Sequence, residues 1–375
     1  MKDVDIEVRY HGKTVGFLAK GANHRFVFAY ADAWLENGFS VSPFSLPLKP
    51  SVFVPQGMNF GGLWGVFADS LPDAWGRLLA DRMLLRHGLD PASFSQTDRL
   101  AIVGESGMGG LTYHPVRSTV GDLSWGDLDE LATECQSLLR HEEITDPDRM
   151  FRLGGSSGGA RPKVMSDEWI IKFPASGDMN DVGLMEKEYT DAAIACGITV
   201  PETRLMPSSL CSGYFAVRRF DREKQAGEII RHHVLTAAAI LEVDWRSAAL
   251  DYHTLMKLTK VLSRSNRADT EQMYRRMCFN VFAHNRDDHA KNFSWIHDDI
   301  NDCWRLSPAY DLTWSTTYWG EHSTTVNGNG HDPGLTDLIE VGHKAGLSPA
   351  KCKSIAANIQ SVCCPLEEKW RNIRS

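Results

Sequence analysis

Apolar and polar residues alternate through positions 6–19, interrupted by a His11-Gly12-Lys13 turn, and alternate again through 25–30. A period of two puts every second side chain on one face of a strand, so this opening predicts a small antiparallel sheet. Positions 43–55 are punctuated by Pro43, Pro47, Pro50 and Pro55 and read as extended chain. From Trp64 the spacing turns helical: Ser70-Leu71-Pro72-Asp73 supplies a cap and an early proline before Trp75, Leu78, Leu79 and Met83, and His87-Gly88 ends the run. Positions 111–114 read as a further strand. Ser124 is then placed to cap a helix presenting Leu128, Leu131, Cys135, Leu138 and Leu139, with Asp146-Pro147-Asp148 as the loop that closes it.

Further on, Trp169-Ile170-Ile171-Lys172-Phe173 is an apolar strand interrupted by one lysine, and 184–196 is a helix stopped by Gly197. Thr199-Val200-Pro201 opens a strand pair that ends in Tyr214-Phe215-Ala216-Val217-Arg218-Arg219-Phe220-Asp221-Arg222. From His232 the pattern is mostly helical to Arg374. It is broken by a hairpin of 293–296 with 303–306 and by a loop rich in Gly and Asn at 325–334. Met273, Met277, Phe279 and Phe282 mark a helix running into that hairpin.

Composition narrows the class. A chain of 375 residues suits two or three subdomains, and 42% hydrophobic with 23% charged residues describes an ordinary globular protein. A net charge of -8 argues against nonspecific DNA binding by the chain as a whole. No apolar run approaches the roughly eighteen residues of a membrane span, and the first residues lack a signal-peptide core, so a cytoplasmic protein with no membrane partner is expected. The eight cysteines include no Cys-x-x-Cys pair, which supports neither a disulfide framework nor a zinc site.

The candidate chemistry lies between His284 and Asp311. Arg286-Asp287 followed five residues later by Asn292 has the spacing of a kinase catalytic loop, where a carboxylate orients the attacking hydroxyl and an amide oxygen holds magnesium. The hairpin brings Asn292 at its start near Asp311 at its end, so two metal ligands converge. Polar residues also crowd ordinary turns, and the reading gains its force from other stretches. Lys172, alone among apolar residues, needs an anion: a nucleotide phosphate is one, and Glu188 on the following helix is another. A lysine on an exposed strand edge is the plain alternative. Positions 153–163 form a glycine-rich stretch, in which Ser157, Gly158 and Gly159 are candidates for phosphate contact. It is no Walker loop, and its Gly-x-Ser-x-Gly at 154–158 would be a hydrolase elbow only with a strand before it and a helix after it. Arg218 to Phe220 is the candidate segment facing adenine. Gly104-Glu105-Ser106-Gly107-Met108-Gly109-Gly110 is read as structural.

With these motifs assembled, the chain resembles the HipA family of serine/threonine kinase toxins of bacterial toxin-antitoxin systems. The resemblance rests on Asp69-Ser70-Leu71-Pro72-Asp73, Val217-Arg218-Arg219-Phe220-Asp221-Arg222, Asp287-Asp288-His289-Ala290-Lys291-Asn292-Phe293-Ser294 and Ser307-Pro308-Ala309-Tyr310-Asp311, and it covers nearly the whole length. It implies an α+β, bilobal, protein-kinase-like fold: a β-rich N-terminal subdomain over 1–118, a kinase N-lobe over 119–220 and a mostly helical C-lobe over 221–375. It further implies Asp287 as catalytic acid/base, Asn292 and Asp311 as Mg2+ ligands, Lys172 on the ATP phosphates, and Phe220 with the backbone near Arg218 at the adenine.

The family likeness also implies autophosphorylation at the position of Ser156, beside Ser157, as a self-inactivating, growth-linked switch. Its partners would be a small DNA-binding HipB-like antitoxin, with DNA reached only through it, and a protein substrate such as an aminoacyl-tRNA synthetase. Two departures stand out: Asp288 adds a second carboxylate beside the metal site, and Arg161-Pro162 precede Lys163 where a glutamine and a glutamate are usual. Asp287-x-His289-x-x-Asn292 also resembles the loop of lipid kinases, which keeps a lipid or small-molecule acceptor open and puts His289 at the nucleotide. A non-catalytic corepressor is the third reading.

Overall fold

The alternation at the start of the chain becomes a five-stranded antiparallel sheet in the order Val52–Phe53, Phe26–Tyr30, Lys13–Lys20, Ile6–Tyr10 and Leu111–His114. Ile6 pairs with Leu18 and Gly16 with Tyr30, which sends Ile6, Val8, Tyr10, Leu18, Phe28 and Tyr30 into the interior. Phe28 meets Tyr30 edge-on at 5.0 Å, and pairs of this kind add about 0.5–1.5 kcal/mol beyond burial. The computed structural model describes residues 5–21, 25–117, 126–246, 250–317 and 320–374.

The chain divides into two units, Met1–Asn180 with Met206–Asp244, and Asp181–Leu205 with Trp245–Ser375. In the first, a second core forms where the helices Ala74–Arg86, Leu128–Leu139 and Pro147–Gly154 meet the strands Lys163–Met165, Trp169–Lys172 and Tyr214–Arg218. Trp75, Leu79, Leu131, Met150, Phe151, Ile171, Phe173 and Tyr214 fill it. Burying each such large side chain stabilises by about 1.5–3 kcal/mol. The strands are antiparallel, with Ile171 opposite both Val164 and Ala216.

Two local expectations change, and one element is added. Ser124 lies outside the described residues, and the helix at Leu128–Leu139 is capped by Asp127, whose carboxylate accepts the N–H of Asp129 and Glu130. Asp146-Pro147-Asp148 is no closing loop: Asp146 caps the helix Pro147–Gly154 by accepting from Arg149 N–H, and Pro147 sits where its missing N–H costs nothing. A hairpin, Arg222–Gln225 with Glu228–Arg231, follows the Arg-Arg-Phe-Asp-Arg segment. Its turn puts Ala226 at φ 52° and Gly227 at φ 90°, a backbone twist that two-residue hairpins favour.

The second unit is built on the helix Arg267–Phe282, whose buried Met273, Tyr274, Met277, Cys278 and Phe279 pack against Tyr252–Leu262 and Pro349–Arg374. Val182–Ala195 and Leu335–Lys344 complete the helical layer, and the hairpin Ser294–Asp298 with Cys303–Leu306 has Trp295 opposite Leu306. All eight cysteines are free thiols. No helix among the described residues is long and apolar enough to cross a membrane.

Candidate active site

The helix Arg267–Phe282 ends on Ala283, and His284 turns the chain at φ 54° with its ring stacked on Trp314 at 5.3 Å. Asp287 follows, held at both ends of its backbone. Its N–H donates to Ser315 Oγ at 3.0 Å, and its carbonyl accepts from Asn292 Nδ2 at 2.7 Å. The side chain, in contrast, is 58% exposed. A fixed main chain with an open carboxylate is the arrangement a positioned acid or base requires. His289 Nδ1 accepts the N–H of Lys291, which places the ring proton on Nε2, 3.8 Å from Asp287 Oδ1. The same ring packs on Trp245 at 4.6 Å.

The expected metal ligands are tied to one another through the chain. Tyr310 donates its hydroxyl to the carbonyl of Lys291 at 2.7 Å, so the residue before Asp311 grips the residue before Asn292. Ser294 and Ser307 hydroxyls meet at 2.8 Å, and Arg276 donates to the Ser307 carbonyl, which anchors the start of the same segment. Asn292 spends its amide nitrogen on Asp287, leaving Oδ1 to face a cation. Asp311 is exposed and held at φ 53°, a left-handed conformation that costs an L residue about 1 kcal/mol and clusters at functional sites. An amide oxygen and a carboxylate are hard donors suited to magnesium, which completes its octahedron with water and substrate phosphate. The residues present therefore fit that ion.

Asp288 does not join them. It is fully buried, and its carboxylate accepts from Tyr252 Oη at 2.8 Å, His322 Nδ1 at 3.1 Å and Thr324 N–H at 3.1 Å. Three donors occupy it, so the second acid of the motif is structural support rather than a ligand. Burial, and then the adjacent Asp288 carboxylate, pushes the Tyr252 phenol well above its ordinary range and keeps it a donor.

In the first unit the glycine-rich stretch is shorter than its sequence suggests, because Leu153 and Gly154 end a helix. A helix before Ser156 and a strand after it reverse the order a hydrolase elbow needs, and that reading falls. Ser156 Oγ donates to the Ser106 carbonyl at 2.9 Å, and Ser157, fully buried, donates to Gly154 O at 2.6 Å. Gly159 N–H donates to Asp73 Oδ2 at 3.1 Å, Trp75 N–H to Gly159 O at 3.2 Å, and Lys163 Nζ to Gly158 O at 2.5 Å. The start of the helix Ala74–Arg86 thus grips this loop. In the sequence Asp73 and Lys163 appear only as parts of motifs, a helix start and the end of the glycine-rich stretch, and no local pattern joins the two.

Lys172 ends its strand opposite Lys163, half-buried, with Nζ 5.5 Å from the Phe215 ring centre. Arg218 is exposed at the end of the neighbouring strand, and Phe220 is half-buried just beyond it. Between and after them lies a buried triad: Asp221 accepts from Arg219 at 2.9 and 3.0 Å and from Arg222 at 2.7 Å. The first glycine turn closes over it. Gly109 N–H donates to Asp221 Oδ2 at 2.8 Å, and Arg222 donates to the carbonyls of Gly107 and Gly109 at 2.7 and 2.8 Å. Burial opposes the Asp221 charge, but the two guanidiniums outweigh it and hold the carboxyl below the usual range.

Glu188 departs from expectation. Its carboxylate is taken by Lys369 Nζ, 2.6 Å from both oxygens, and by Trp370 Nε1 at 3.0 Å. The reason is rotational: the buried face of Val182–Ala195 carries Val182, Met185, Glu186, Tyr189 and Ala193, which leaves Glu188 on the flank toward the helix Pro349–Arg374. Glu186, 3% exposed, is the buried acid of this helix.

Comparison with known proteins agrees with these motifs. The family model for the HipA-like C-terminal domain matches residues 155–367, and that for the HipA N-terminal domain matches 6–114. Two Sinorhizobium fredii proteins, Y4dM and Y4mE, each named as an inferred kinase, are both 24% identical, over 86% and 84% of this chain and 80% and 78% of theirs. Among solved structures, the HipA–HipB–operator DNA complex of Shewanella oneidensis superposes with a TM-score of 0.70 at 16% identity, over 97% of this chain and 90% of that one. The α+β kinase-like fold is therefore the HipA fold, and with more than half its length matched by the C-terminal model, the chain belongs to the HipA family.

Proposed function

We propose that this chain is an ATP-dependent serine/threonine protein kinase that acts as the toxin of a toxin-antitoxin pair. The observation that carries the reading is the treatment of Asp287: backbone clamped by Ser315 and Asn292, carboxylate open, five residues ahead of an amide oxygen suited to magnesium. Phosphoryl transfer asks mainly for positioning and charge neutralisation. In this reading Asp287 accepts the proton of the incoming hydroxyl, while Asn292 and Asp311 hold the ion that neutralises the phosphates. Lys172 meets the phosphates, with Ser157, Gly158 and Gly159 as loop contacts, and Arg218, Phe220 and His289 line the nucleotide. Membership of the HipA family, together with a solved relative that is bound to HipB, supports a small DNA-binding antitoxin as partner.

Incubating the purified chain with labelled Mg-ATP and a bacterial protein extract tests this directly. Label on protein serine or threonine is expected, and Asp287→Asn should lower it by about 10²- to 10⁴-fold. Label on lipid instead of protein, or equal transfer by Asp287→Asn, overturns it.

A further inference from the structure

Starting at the amide of Asp287, every hydrogen bond points the same way. Asp287 N–H donates to Ser315 Oγ at 3.0 Å, and Ser315 Oγ donates to Asn285 Oδ1 at 3.1 Å. Asn285 Nδ2 then donates to Asn280 Oδ1 at 3.0 Å, Asn280 Nδ2 to Tyr252 Oη at 2.9 Å, and Tyr252 Oη to Asp288 Oδ2 at 2.8 Å. Five links in one direction end on a carboxylate whose residue is the chain neighbour of the first. Asn280, Asn285, Tyr252 and Asp288 are each 3% exposed or less. Their polar groups would be costly to bury unpaired, and each side chain between the ends both accepts and donates.

We propose that Asp288, Tyr252, Asn280, Asn285 and Ser315 are positioning residues for phosphoryl transfer, forming a directional relay that fixes the backbone of Asp287 while its carboxylate stays open. The direction is set at the buried end. Asp288 can only accept, and its Oδ1 is already engaged by Thr324 N–H and its Oδ2 shared with His322 Nδ1, so Tyr252 must donate to it. With its hydrogen committed, the phenol oxygen is left to accept from Asn280. That orients both amides in turn and aims a Ser315 lone pair at Asp287 N–H. Chains of this kind polarise one another, which makes the last link stronger than an isolated serine contact. The residue after Asp287 thus acts on it through the interior rather than through the metal.

The proposal rests on the kinase reading for its rate consequence but not for its structural one, so two readouts are taken together. Tyr252→Phe cuts the relay in the core, Ser315→Ala cuts it at its accessible end where the fold is not at stake, and Ser315→Thr restores the hydroxyl. For both cutting variants, amide exchange at Asp287 should accelerate and kcat for transfer from Mg-ATP should fall by about 10- to 100-fold with KM for Mg-ATP unchanged. Ser315→Thr should recover both. Unchanged exchange, or faster exchange with wild-type kcat, overturns the relay. A wild-type chain that transfers no phosphate overturns the kinase reading instead and leaves the exchange result to decide whether the relay exists.

Discussion

Lys369 Nζ stands 2.6 Å from both carboxylate oxygens of Glu188, across the contact between the helices Val182–Ala195 and Pro349–Arg374. The Glu188 side chain is 29% exposed and that of Lys369 46%. Pairs this accessible contribute about 0.2–1 kcal/mol. Glu188→Ala also takes the acceptor from Trp370 Nε1, on a residue only 1% exposed, so it should lower stability by about 1–3 kcal/mol, measured by urea unfolding, and leave phosphoryl transfer intact. A large fall in kcat at unchanged stability would return Glu188 to the nucleotide.

Asp221 makes the opposite case. It lies fully buried between Arg219 and Arg222, so removing its charge strands two guanidiniums away from water. Asp221→Asn should cost about 3–5 kcal/mol and abolish the fit of the turn around Gly107 and Gly109. The pH dependence has a definite sign. The folded carboxyl is held below its ordinary value of 3.8, so the stability it contributes is complete above that value and is lost as pH falls below it. The difference between wild type and variant, followed by urea midpoints, should be flat from about pH 5 to 8 and shrink below about pH 4.

These two acids show what a sequence discloses. The alternating start, the helix at Ala74–Arg86 and the hairpin after Asn292 follow from local periodicity, and the sheet and hairpin form where it points. The spacing that singles out Asp287, Asn292 and Asp311 runs along one loop and one hairpin, and that loop and hairpin form as local pattern suggests. The partner of Glu188 was not, because choosing between Glu186 and Glu188 is a matter of about 200° of helix rotation that only packing decides. Asp73 on Gly159 and the relay to Asp288 join residues up to 86 positions apart, and no local pattern encodes such contacts.

The two serines of the glycine-rich loop should behave differently. Ser157 is fully buried with its hydroxyl on the carbonyl three residues back, whereas Ser156 keeps 9% of its surface exposed and donates to the Ser106 carbonyl at 2.9 Å. A phosphate on Ser156 would face that carbonyl with negative charge, so modification must release the loop. Incubation with Mg-ATP followed by peptide mass spectrometry should find phosphate on Ser156 and not on Ser157. Ser156→Ala should then hold its transfer rate over time while the wild type declines. Phosphate on neither serine would remove self-inactivation at this loop.

Asn292 has two tasks that a substitution can separate. Its amide nitrogen donates to the Asp287 carbonyl at 2.7 Å, and its amide oxygen is left for magnesium. Asn292→Ala loses both functions. Asn292→Asp keeps an oxygen donor, with added charge, but cannot donate when ionised and sets a carboxylate against the carbonyl it used to bond. Magnesium titrations of the transfer rate should accordingly show a raised half-saturation for Asn292→Ala and a near-normal one for Asn292→Asp. At saturating magnesium both should remain slow, because the clamp on Asp287 is gone and misplacement of about 1 Å costs roughly 100-fold. Wild-type rates for Asn292→Asp at high magnesium would mean that the ligand oxygen alone matters and that Ser315 suffices to hold the catalytic loop.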